Sequence, residues 1–249
     1  MSTHRKKKIK TEILGIICAR ARSKGLKDKH ILPLMGKPMI YYTIQSAKNS
    51  KLIGRVVCST DGKAIAGVVK QHGVEVIKRP SKYAADNSPI EEALRYTVEY
   101  LKDKENYYPD YVVLLQANVP VRAKGIIDKA IMYIIKSRAD SVFTAHAIGK
   151  YHSFWQVRKA KENKLEYFTR SKIYRRQDLP QLYYVDDACY VIKTSVLMKR
   201  LKRDKLYSVF GKDIRLLVQK PEETVDVDDS KDMFIAEAIL KYKKMVQKK

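Results

Sequence analysis

Apolar runs of strand length alternate with segments of helical period along almost the whole chain. Such alternation is the mark of βαβ units, and it predicts an α/β fold with a mostly parallel twisted sheet between helices. The strand candidates are Ile13–Ala19, Arg55–Ser59, Val74–Ile77, Tyr111–Gln116, Ser141–Ala145, Ala188–Ile192 and Ile214–Val218. The helix candidates are Met39–Asn49, Gly62–His72, Pro89–Lys102, Gly125–Ser137, Ser195–Leu201 and Ser230–Met245. Before the third helix, Ser88 is placed to cap, Pro89 suits the first position and Glu91 completes a capping box. The alternation breaks between Ala147 and Tyr184, a stretch rich in Tyr, Arg and Lys that holds the single tryptophan, Trp155. Long excursions of this sort are functional segments or interfaces. With no internal repeat or low-complexity linker, the chain reads as one domain over residues 12–249 with an insertion at 147–184. A basic disordered tail over 1–11 precedes it.

At 249 residues and 45% hydrophobic, the chain can bury a sizeable core. No segment reaches the ~18 consecutive apolar residues that cross a bilayer. The N-terminus imitates a signal peptide, but its apolar core is very short and runs into Arg20 and Arg22 instead of a small-residue cleavage site. The run Arg5–Lys10 also fits a nuclear address, though a tail is the favoured reading. Cys18, Cys58 and Cys189 lie far apart in apolar runs, which is neither a zinc pattern nor a disulfide framework and suits a reducing cytoplasm. The net charge of +24 points to an acidic partner without naming it, and much of it lies in the two tails.

The first strand empties into Arg20-Ala21-Arg22-Ser23-Lys24-Gly25-Leu26-Lys27-Asp28-Lys29. A buried strand feeding a loop of five cations, a Ser and a Gly suits a polyanion. Gly25 is expected to take the positive φ of a tight turn around phosphate. In open α/β sheets ligands bind outside the carboxyl ends of strands, where this loop falls. Near the other end, Thr224-Val225-Asp226-Val227-Asp228-Asp229 precedes the last helix. Alternation along an extended segment points Asp226 and Asp228 the same way, as a hard-oxygen site for Mg²⁺ or as acids at a helix N-terminus. Asp61, in Ser59-Thr60-Asp61-Gly62, is either a helix cap or a pocket residue. Gln116 ends an otherwise apolar strand, as a turn residue or as a reader of a substrate hydroxyl or acylamino group. Arg175-Arg176 is a solvated pair or a clamp for carboxylate or phosphate.

Taken together and in order, these motifs resemble the acylneuraminate cytidylyltransferases, also called CMP-sialic acid synthetases. The resemblance runs from Leu14 to about Leu240 and rests on Arg20, Ser23-Lys24-Gly25-Leu26 with Lys29, Gly36-Lys37-Pro38, Val57-Cys58-Ser59-Thr60-Asp61 and Arg79-Pro80. It continues through Leu114-Leu115-Gln116, Arg176-Gln177-Asp178-Leu179-Pro180 and Val225-Asp226-Val227-Asp228. It implies a Rossmann-like nucleotidyltransferase fold that joins an ulosonic acid to CMP, using CTP and Mg²⁺ and releasing pyrophosphate. On that resemblance Arg20, Ser23, Lys24, Lys29, Asp61 and Arg79 serve the nucleotide. Gln116, Arg176 and Tyr190 face the acidic sugar, and Asp226 and Asp228 hold the metal. Arg20, Lys29 and Asp228 are then the catalytic set. The excursion corresponds to the family's dimerisation segment, which implies a homodimer whose partner completes the site.

Ala21-Arg22 stands where the family carries two glycines or Gln-Asn, and His30 where it carries Asn. Ala117-Asn118-Val119-Pro120 replaces Pro-Thr-Ser-Pro, and Asp186-Asp187-Ala188 replaces Asn-Gly-Ala. The first two changes touch the nucleotide end. The last two touch the sugar end and favour legionaminic, pseudaminic or another modified ulosonic acid as readily as sialic acid. Two other readings compete. A sugar-phosphate nucleotidyltransferase of the same fold has a more glycine-rich first loop, so Ala21-Arg22 counts against it. A catalytically retired nucleic-acid-binding protein fits the charge, but the chain carries no nucleic-acid motif.

Overall fold

The computed structural model describes residues 11–21 and 25–246. The basic tail before Thr11 and the loop residues Arg22, Ser23 and Lys24 lie outside the described residues.

The main sheet has seven strands: β1 (Ile13–Ala19), β2 (Arg55–Thr60), β3 (Glu75–Lys78), β4 (Tyr111–Gln116), β5 (Ser141–Ala147), β6 (Tyr183–Lys193) and β7 (Ile214–Gln219). The helices are α1 (Met39–Lys48), α2 (Lys63–Gln71), α3 (Ile90–Glu105), α4 (Ile126–Ser137), α5 (Thr194–Leu197) and α6 (Ser230–Val246). Each expected element is present, with ends moved by a few residues. Spatial order is β7-β5-β6-β4-β1-β2-β3. β1 pairs in parallel with β2 and β4, β2 with β3, and β5 with β7. β6 alone runs antiparallel, against β4 and β5. It returns beside β5 as the second arm of a long hairpin, which needs no crossover helix. Tyr183 pairs with Ala147 and Tyr184 with His146, so the excursion sits at the hairpin's tip.

Every residue of β1 is buried, because α1, α2 and α4 cover one face of the sheet and α3 the other. A third cluster, Leu34, Met39, Val121, Val227 and Ala236, seats α6 against the loops after β1 and β4. Strand order reverses at β1, with β2 on one side and β4 on the other. The crevice beyond the carboxyl ends of β1 and β4 is therefore the expected ligand site.

Ser88 does not cap α3. Pro89 holds the N-cap position in an extended conformation, so Ser88 lies one residue too early, and its hydroxyl donates to the Lys82 carbonyl at 2.7 Å. Glu91 pairs with Arg203 instead of closing a capping box. The excursion carries a small hairpin, Val157–Lys159 against Leu165–Tyr167. Trp155 pins it by donating to the Ile173 carbonyl at 2.9 Å. Tyr151, Tyr167, Phe168 and Tyr174 remain exposed on it. No helix among the described residues is long and apolar enough to cross a membrane.

Candidate active site

A cavity of about 510 Å³ opens in the crevice, lined by residues that the sequence keeps far apart. Its basic wall carries Arg20, Lys29, His30 and Arg79, and its acidic wall carries Asp187, Asp226 and Asp228. Gln116 and Asn118 lie between them, and the segment from Tyr83 to Ile90 closes another side.

Arg20 follows β1 and meets Asp86 at 2.6 Å. Arg79 follows β3 and is buried. Its guanidinium donates to the Ser59 hydroxyl at 3.2 Å and the Ser59 carbonyl at 2.7 Å, which fixes it to the end of β2. Lys29 lies against the acidic segment, donating to the Val227 carbonyl at 3.0 Å and to Asp228 Oδ1 at 2.6 Å. This contact joins the two walls.

Gly25 is required where the basic loop meets the acidic segment: a Cβ there would stand 2.3 Å from the Asp228 carbonyl oxygen. Only the absence of a side chain lets the basic loop lie against the acidic segment. Asp61 is not the cap of α2 and does not line this cavity; it lines a neighbouring one with Lys78, Arg79, Tyr96 and Tyr100. Its carboxylate accepts from the Ala21 amide at 2.8 Å and so fastens the start of the basic loop.

The acidic segment lies beside the loop after β4. Val225 bridges Val121, and the Val227 amide donates to the Asn118 carbonyl at 2.8 Å. The Asn118 amide also donates to the Asp226 carboxylate. Burial, with Asp228 and Asp187 nearby, pushes the Asp226 carboxyl up to about 7. Crowded carboxylates of this kind favour a cation. Among the described residues no three His, Cys, Asp or Glu side chains form a ready metal cage. Mg²⁺ asks less than that, taking one or two carboxylates with waters and substrate phosphates, and this donor set fits such a shared site.

A register shift between Val185 and Tyr190 separates the adjacent acids Asp186 and Asp187. Asp186 turns into the core, where Thr144 at 2.6 Å, Gln219 at 2.7 Å and the Ala188 amide at 3.2 Å satisfy it. Asp187 turns to the cavity at φ 57°, a conformation that costs a non-glycine residue. Burial raises its carboxyl.

Two of the residues expected at the sugar lie elsewhere. Tyr190 is 5% exposed, stacks on Phe143 and gives its hydroxyl to Asp187, so it braces a cavity residue from the core. Arg176 lines a separate cavity of about 140 Å³ at the base of the excursion, with His152 and Leu179. Ser23 and Lys24 lie outside the described residues.

Sequence reasoning gave no role to Arg122. Its buried guanidinium donates to the carbonyls of Ala188 at 2.7 Å and Gln116 at 2.8 Å, to Thr43 Oγ1 at 2.9 Å and to the Val119 carbonyl. It ties the loop after β4 to the shifted segment of β6 beneath the acidic wall. Burial lowers it to about 10, with Asp186, Asp226 and Asp187 opposing, so it remains a cation at neutral pH. Its only sequence signal is a lone cation after Val119-Pro120-Val121.

The chain is 32% identical over 243 residues to the "Post-translational flagellin modification protein B" of Campylobacter coli, covering 96% of this chain and 99% of that one. It is 31% identical over 240 residues to the "CMP-N,N'-diacetyllegionaminic acid synthase" of Campylobacter jejuni, covering 95% and 98%. A solved CMP:2-keto-3-deoxy-manno-octonic acid synthetase complexed with CTP shares the fold, with a TM-score of 0.71, 18% identity and coverage of 94% and 100%. The family model described as cytidylyltransferase matches residues 14–242. That span takes in every residue lining the cavity, and the chain belongs to the cytidylyltransferase family.

Proposed function

We propose that the cavity transfers a cytidylyl group from CTP to the anomeric hydroxyl of an acidic ulosonic sugar, with release of pyrophosphate. The observation that carries this reading is the meeting of a basic and an acidic wall across one cavity, joined by Lys29 and Asp228 at 2.6 Å. Arg20 and Lys29 take the phosphates, and Arg79 with the segment after Tyr83 faces the nucleoside. Gln116 and Asp187 face the sugar. The bond that forms joins the anomeric oxygen to the α-phosphorus, and the bond that breaks frees pyrophosphate. Negative charge grows on phosphate oxygens during that exchange, and cations fixed beforehand stabilise it without reorganisation. Asp226 and Asp228 are the residues to hold Mg²⁺, whose chemistry here is Lewis-acid stabilisation of phosphate charge.

Asp187, in place of the family's glycine, supports a sugar that offers hydrogen-bond donors, and the relative named for diacetyllegionaminic acid supports the same class. Arg176, distant from the cavity within one chain, enters this reading through a homodimer built on the exposed aromatics of the excursion. Three buried thiols suit a cytoplasmic setting. The test is pyrophosphate release from each of the four nucleoside triphosphates, with N-acetylneuraminic, N,N'-diacetyllegionaminic and pseudaminic acids and sugar 1-phosphates, with and without magnesium chloride. Release that needs CTP, an ulosonic acid and magnesium together is expected. Release with sugar 1-phosphates alone, or none with any acid, contradicts the reading.

A further inference from the structure

Two carboxylates of the acidic wall already have a nitrogen donor. Asp226 accepts from the Asn118 amide and Asp228 from Lys29. Asp187 accepts only from the Tyr190 hydroxyl, at Oδ1, and among the described residues no nitrogen donates to it. The residue is half-buried and lines the cavity, and its other oxygen is not sealed in the interior. Arg122 is the cation beneath this wall, but it spends its donors on Thr43 and on the carbonyls of Gln116, Val119 and Ala188. The other neighbours are the acids Asp186, Asp226 and Asp228 and the phenols Tyr184 and Tyr207. Asp187 does not join Asp226 and Asp228 around one ion, since among the described residues no three such side chains could hold a metal. An ulosonic acid brings a carboxylate of its own into this cavity, so an unanswered carboxylate on the wall opposes its binding. A neutral acetamido N–H would give Asp187 a hydrogen bond and leave the charge unanswered. An ammonium or amidinium answers both, through a charge-assisted hydrogen bond.

We propose that Asp187 selects an ulosonic acid carrying a cationic nitrogen, an amine or an amidine, by pairing its open carboxylate oxygen with that nitrogen. This rests on the cytidylyltransferase reading and narrows the acceptor from donor-bearing sugars to cationic ones. The acceptor is then a zwitterion, and its cationic nitrogen offsets the repulsion between its own carboxylate and the wall. Tyr190, stacked on Phe143, holds the reading carboxylate from behind.

The test is pyrophosphate release by the full chain with CTP and magnesium chloride, comparing sugars that differ at one nitrogen. These are N,N'-diacetyllegionaminic acid and its derivatives in which one or the other acetamido group is replaced by a free amine or an acetamidino group. The wild type is expected to favour one of the cationic sugars over the diacetyl sugar by about 10-fold to 100-fold in kcat/KM, chiefly through KM, the scale of a charged hydrogen bond. In Asp187→Asn that ratio is expected to shrink to within about threefold. Asn keeps an oxygen for the Tyr190 hydroxyl and tolerates the backbone conformation at φ 57°. If Asp187→Asn does not fold, Asp187→Gly, which takes this φ freely, replaces it. Equal or faster use of the diacetyl sugar by the wild type overturns the inference, as does a preference that survives in the variant. A variant that only needs more magnesium, by the same factor with every sugar, makes Asp187 a metal residue and also overturns it. No reaction of CTP with any ulosonic acid, cationic or neutral, overturns the cytidylyltransferase reading as well, whereas turnover without a cationic preference overturns this inference alone.

Discussion

Asp228→Asn is expected to lower kcat by about a thousandfold or more, the scale of losing a principal electrostatic group in a transfer site. Its melting temperature should stay within about 3 °C of wild type. The Asp228 side chain is 72% exposed, and its ion pair with Lys29 is of the kind worth about 0–1 kcal/mol. Asn keeps the backbone amide that Asp232 accepts at 2.9 Å, and it keeps an oxygen for Lys29. The fold therefore loses little while the acidic wall loses a charge. Turnover assays beside thermal melts check this. A large fall in melting temperature with modest loss of turnover would make Asp228 a structural acid at the start of α6.

Gly25→Ala should be nearly as damaging without removing any functional group. The new methyl would meet the Asp228 carbonyl oxygen at 2.3 Å, so the basic loop must withdraw from the acidic segment. Displacing cations by about 1 Å in a transfer site costs on the order of 100-fold. A fall of that size in kcat/KM is expected, and adding back magnesium should not restore it. Activity within about threefold of wild type would show that the two walls need not touch. Neither expectation depends on which ulosonic acid is the acceptor.

The centre of the sheet was legible because β1 and β4 are buried on both faces and read as continuous apolar runs. The reversed direction of β6 was not, because apolar content carries no sign of direction. The cations and carboxylates of the cavity were legible as motifs at strand ends, and Arg20, Lys29, Arg79, Gln116, Asp226 and Asp228 do converge. The contacts that hold them were not. Arg122 works through carbonyl groups, which every residue has, and Gly25 answers to a carbonyl some two hundred positions away in sequence. The contact that Asp61 makes was hidden for a related reason, since its partner is a backbone amide in the neighbouring loop. Asp186 and Asp187 were expected together at the sugar end, and a register shift inside β6 sends Asp186 into the core and Asp187 to the cavity.

In the proposed reaction this cavity makes a bond between a sugar oxygen and the α-phosphorus of CTP. Phosphorus-31 NMR of the enzyme with CTP, magnesium chloride and N,N'-diacetyllegionaminic acid tests it most directly. A growing phosphodiester signal matched by an equal amount of pyrophosphate is expected. Disappearance of CTP into CMP and pyrophosphate with no phosphodiester, with this acid and with every other ulosonic acid offered, would contradict it.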